Sequence, residues 1–169
     1  MLPEISKLIK KLDSLDYVVE EELATILLLM LKLKKPLLLE GPPGVGKTEV
    51  AHIIASYLNT KLIRLQCYEG LDVNSAIYEW NYQKQLLSIK LTEGSGLSSA
   101  EKESHIFGDE FLLKRPLLQA ITESDKAPVL LIDEIDRADE EFEAFLLELL
   151  SAYQISIPEM GTVKANQKI

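Results

Sequence analysis

The chain has 169 residues, 47% of them hydrophobic and 27% charged, which allows one domain with a real core and argues against global disorder. Its net charge of −9 repels a phosphate backbone, so nucleic acid is disfavoured as a general partner. The single cysteine, Cys67, leaves no disulfide to form within the chain and fits a reducing compartment.

The first residues, Met1 to Lys10, are too polar for a signal peptide. Ile5, Leu8, Ile9 and Leu12 recur at helical spacing, with Pro3 near the start, and predict an opening amphipathic helix. A second helix is expected from about Glu20 to Leu33, apolar on most sides and therefore buried. Its most apolar stretch, Leu23 to Leu31, is about half of the roughly 20 residues a membrane span needs, so a soluble cytoplasmic protein is expected. Pro36 ends that pattern, and Leu37 to Leu39 predict a short strand. The loop "GPPGVGKTEV" follows, then a helix from Lys47 to about Leu58, a break at Asn59-Thr60, and a strand over Leu62 to Leu65.

Residues 73 to 91 mix helical and strand-like patterns, and Gly94 to Ser99 reads as a flexible loop. Phe111 to Thr122 predicts a helix interrupted or bent near Pro116. Val129 to Ile132 is a continuous apolar run suited to a strand buried on both faces. Phe142, Phe145, Leu146, Leu149, Leu150 and Tyr153 mark one face of a strong helix, and Ile155 to Val163 predicts a hairpin turning at Glu159-Met160-Gly161. Strands alternating with helices, without an internal repeat or a clear linker, argue for a three-layer α/β fold with a parallel sheet.

The glycine loop fits G-x-x-x-x-G-K-[ST] in full, through Gly41, Gly46, Lys47 and Thr48, with a predicted strand before it and a helix after it. Glycines permit close backbone approach, so loop N–H groups converge on phosphate, and the following helix adds the positive end of its dipole. Lys47 supplies a mobile charge for the β/γ oxygens, and the Thr48 hydroxyl is a ligand for Mg²⁺. The plain alternative is a glycine-rich turn that merely joins strand and helix.

The second signal is Val129-Leu130-Leu131-Ile132-Asp133-Glu134. A carboxylate ending a buried strand is costly unless a cation satisfies it, and beside a phosphate loop that cation is Mg²⁺, held by Asp133 through water. Glu134 then polarises the attacking water, a role that a hydrolase needs. The alternative is a solvated acidic helix start, since Asp136, Asp139, Glu140 and Glu141 follow. Adenine is the default base, because no Asn-Lys-x-Asp occurs. His52 and His105 lack a second metal ligand at useful spacing, Tyr78, Trp80 and Tyr82 suit packing or a protein contact, and Cys67 suits the core.

With both motifs placed, the chain resembles AAA+ ATPases of the MoxR type. "LLLEGPPGVGKTEVA", "RLQCYEGLDVNSAIYEWNYQKQLL", "FLLKRPLLQAI" and "LLIDEIDRA" are similar to the CoxD-like branch, accessory to carbon monoxide dehydrogenase maturation. The resemblance implies that Gly41, Pro42, Pro43, Gly44, Val45, Gly46, Lys47 and Thr48, with Glu49 beside them, bind ATP. It further implies that Asp133 assists Mg²⁺, that Glu134 activates water, and that Asp16, Tyr17 and Val18 lie near the adenine. The family's habit is a hexameric ring that remodels a client, often beside a von Willebrand factor A domain protein and often in metalloenzyme maturation. The family's sensor strand, late arginine finger and helical lid have no counterpart before Ile169, so residues 1–169 are expected to be the N-terminal portion of such a core. Arg137 is expected in a salt bridge with Asp136 or Glu140.

Overall fold

A computed structural model describes residues 2–92 and 98–165. Helix α1 (Pro3–Asp13) places proline in its first turn, where the missing N–H costs no intrahelical bond, and buries Ile5, Leu8 and Leu12. Helix α2 (Glu21–Leu33) packs on it through Leu27, and Lys32 pairs with Glu4 across the two helices. Helix α3 (Lys47–Leu58) adds Val50, Ile53 and Ile54 to the same apolar cluster.

The run Leu37–Leu39 corrects the sequence reading, because it joins no β-ladder. Leu37 and Leu39 pack against the α1–α3 cluster while Leu38 is 68% exposed, so strand-like alternation is present. A ladder also needs a neighbour for its N–H and C=O groups, and no described strand pairs with this segment.

Strand β1 (Leu62–Gln66) is followed by α4 (Val73–Ile77), β2 (Tyr78–Trp80) and α5 (Tyr82–Leu91). These resolve the mixed pattern of residues 73 to 91 into three elements. Of the expected loop Gly94 to Ser99, residues 94–97 lie outside the described residues. Ser98 instead caps α6 (Ser99–Ile106) in a reciprocal capping box with Glu101. A single bent helix over Phe111–Thr122 is also not what forms. A 3₁₀ turn (Asp109–Phe111) leads into β3 (Leu112–Lys114), antiparallel to β2, and Pro116 begins helix α7 (Pro116–Thr122) rather than bending one. Proline fits that first position because its fixed φ is already helical.

Strand β4 (Val129–Asp133) pairs in parallel with β1, Leu62 opposite Val129 through Gln66 opposite Asp133. Side chains alternate across a strand, and the packing sorts accordingly. Leu65, Leu130 and Ile132 join the core built by α7, by α8 (Glu140–Ala152) and by the hairpin β5 (Gln154–Ile157) and β6 (Gly161–Lys164). Val129 packs against the α1–α3 cluster instead. Helices therefore cover both faces of the parallel pair, which is the expected α/β layering. Trp80 packs edge-on against Tyr78 and Phe107, and Cys67 is fully buried, both core roles as expected.

Candidate functional site

The glycine loop shows the backbone that its sequence implies. Gly44 and Gly46 take φ of +83° and +87°, left-handed conformations that strain any residue with a Cβ. Helix α3 starts directly after Gly46 with no side chain capping it; Glu49 N donates back to Gly46 O, and no side chain accepts from the N–H groups before it. Lys47 folds back over the loop, its Nζ donating to Gly41 O at 2.6 Å and Pro42 O at 2.8 Å. An ammonium, an uncapped helix start and an exposed glycine turn suit an anion, and phosphate above all.

Two observations relate this loop to Asp133. At the far end of α3, Thr60 donates to Ala127 O and Lys126 to Asn59 O, so the helix ends beside the start of β4. Helix α3 packs along β4 and β1. It is about 18 Å long at 1.5 Å per residue, close to the span of about 16–17 Å for a five-residue strand. Running back along the strand, it brings Lys47 and Thr48 to the end that carries Asp133. Strand alternation then settles the face: Asp133 shares the side of Val129, the side on which α3 packs.

The acidic pair at this end is engaged within the protein. Asp133 Oδ2 accepts from Arg64 Nη2 at 2.7 Å. The counter-cation that the sequence reading assigned to Mg²⁺ is therefore, in this structure, an arginine on the neighbouring strand. Glu134 sits at φ +56°, ψ +43°, and its Oε2 pairs with Arg137 Nε at 2.9 Å. Arg137 thus meets neither Asp136 nor Glu140 but the residue that opens its own 3₁₀ turn. Cys67 N donates to Asp133 O, and burial first, then the fields of Asp133, Asp136 and Glu134, push the thiol's pKa up.

Tyr17 packs against the α1–α3 cluster, and burial first, then the field of Glu49, raise its pKa. Val18 is 88% exposed beside it in sequence, free to contact a ligand. Among the described residues no cluster of three or more His, Cys, Asp or Glu side chains is arranged to hold a metal by itself. Thr48 and Asp133, the expected Mg²⁺ residues, carry the oxygen donors that such an ion takes alongside waters and phosphate oxygens. Arg64 is the residue that sequence reading missed. No local signal marks it, because the contact depends on β4 lying beside β1 in the observed register.

A glycine loop with a lysine across it, opening a helix laid over a parallel sheet, defines a phosphate-loop nucleotide-binding fold. Residues 36–168 match the AAA domain family of the dynein-related subfamily, and the chain belongs to it as an AAA+ ATPase. No solved structure matches the chain. No helix among the described residues is long and apolar enough to cross a membrane.

Proposed function

We propose that the chain binds Mg-ATP at Gly41–Thr48 and hydrolyses it. Loop amides and the start of α3 receive the phosphates, and Lys47 swings from the carbonyls of Gly41 and Pro42 to phosphate oxygens. The Thr48 hydroxyl, and the Asp133 carboxylate through water, would hold Mg²⁺, which would neutralise charge on the phosphates. Glu134 leaves Arg137 and accepts at its carboxylate the proton of the attacking water. Tyr17 and Val18 flank the adenine, with Glu49 beside them.

The reading rests most on Lys47, held across the loop at the same end of the fold as Asp133. Its finer parts extend the family resemblance: a MoxR-type chaperone of the cytoplasm, assembled in a hexameric ring. Its partner would carry a von Willebrand factor A domain, and its client would be a maturing metalloenzyme or complex. A nucleotide-binding module without turnover is the second reading, favoured by the arginines that already occupy Asp133 and Glu134. Steady-state phosphate release separates the two.

The test is titration with a fluorescent ATP analogue. Charged hydrogen bonds contribute about 1.5–3 kcal/mol each, so Lys47→Ala should raise Kd at least about tenfold. Unchanged affinity would remove the loop from the site.

A further inference from the structure

The chain has three arginines, and two of them close on Asp133, which ends β4, and on Glu134, which follows it. The contact at Asp133 is the more consequential. Its side chain is 20% exposed, whereas that of Arg64 is 51% exposed and therefore free to move away. The strand register builds the contact: Gln66 lies directly opposite Asp133, and Arg64 stands two residues before it on the same face. The same Nη2 that donates to Asp133 also donates to Gln66 Oε1. Arg64 thus has a second, uncharged acceptor already in reach.

We propose that Arg64 is an exchangeable counter-cation that competes with the divalent cation for Asp133, and that Gln66 retains it when it is displaced. The proposal rests on the reading that Asp133 serves Mg²⁺. A guanidinium on the carboxylate cancels the charge that attracts a cation, and it repels a cation arriving at the other oxygen. Without nucleotide the arginine keeps Asp133 paired and the site takes up little metal. The phosphates bring the negative charge that tips the exchange, so cation and nucleotide enter together. Arg64 is in this sense a positioning residue, acting through Asp133.

Manganese(II) tests this directly, because its free form is counted by electron paramagnetic resonance without turnover. The full chain is titrated with Mn²⁺, alone and with a non-hydrolysable ATP analogue, as wild type, Arg64→Gln, Arg64→Lys, Asp133→Asn and the Arg64→Gln/Asp133→Asn double variant. Removing one positive charge within a few ångströms of a divalent ion should tighten Mn²⁺ binding about tenfold in Arg64→Gln. Arg64→Lys, which keeps the charge, should stay near wild type. The double variant should bind as weakly as Asp133→Asn. Damage to the fold would loosen binding, so tighter binding is not a structural side effect. If Arg64→Gln binds Mn²⁺ no more tightly while Asp133→Asn binds it more weakly, the competition is refuted and the metal role of Asp133 stands. If, with the ATP analogue bound, Asp133→Asn binds Mn²⁺ like wild type, the metal role itself is wrong and the competition falls with it.

Discussion

Replacing Glu134 with glycine should make the protein more stable and, on the proposed mechanism, unable to turn over ATP. Glu134 holds φ +56° and ψ +43°, the left-handed region that costs a residue with a Cβ about 1–2 kcal/mol. Glycine removes that strain. The substitution also loses the pair with Arg137, whose two side chains are 42% and 59% exposed, a contact that contributes about 0–1 kcal/mol. The bond from Arg137 N to Glu134 O is kept, because it uses only the backbone. The difference is about 0–2 kcal/mol, from which glycine's extra freedom in the unfolded chain takes back about 0.4–1 kcal/mol. That leaves a gain of up to about 1.5 kcal/mol, or a rise in Tm of up to about 6 °C for a domain of this size. Urea denaturation reads it as a higher midpoint at unchanged slope. Lys34→Gly is the control, since Lys34 takes the same conformation at φ +51° where α2 ends and has no place in the site. It should stabilise by a similar amount and leave nucleotide binding and turnover alone. A loss of more than about 0.5 kcal/mol in Glu134→Gly would refute the strain argument.

Glu134→Gln keeps the shape but cannot take the proton, so nucleotide affinity should persist while single-turnover hydrolysis falls about 10²–10⁴-fold; equal rates would assign water activation elsewhere. Phe142 is fully buried between α8 and the rest of the core, and Phe142→Ala should cost about 3–5 kcal/mol in chemical denaturation. Val18→Ala should change stability by less than about 0.5 kcal/mol, since the side chain is 88% exposed, yet weaken ATP binding measurably in calorimetry. An unaltered Kd would take Val18 out of the adenine site.

The parts of the fold that the sequence disclosed are those whose signal is local. Ile5, Leu8 and Leu12 share a face at helical spacing whatever lies elsewhere, and the same holds for Phe142, Leu146 and Leu149. The strand Val129–Asp133 was legible from its length and branching. Leu112–Lys114 was not, because only its partner Tyr78–Trp80, more than thirty positions away, makes it a strand. Leu37–Leu39 failed in the opposite sense: its composition suits a strand, but no ladder neighbour is supplied. The α6 helix was legible in principle, since Ser98 and Glu101 are spaced as a capping box, but the glycines and serines just before it outweighed that signal. In the site, Gly41, Gly46, Lys47 and Thr48 are fixed by spacing along the chain, and the structure gives them a loop and a helix start. Arg64 on Asp133 depends on which strand lies beside which and in what register, and no local pattern carries that.

The central claim is that Gly41–Thr48 is where nucleotide binds. Hydrogen exchange of the backbone amides, followed by mass spectrometry with and without Mg-ATP, tests it at the atoms concerned. The loop N–H groups and those opening α3 lack a side-chain cap and should exchange quickly without nucleotide. With saturating Mg-ATP, residues 41–49 should become the most strongly protected segment, with a smaller change around Asp133 and Glu134. Saturation accompanied by protection elsewhere and none across 41–49 would contradict the account.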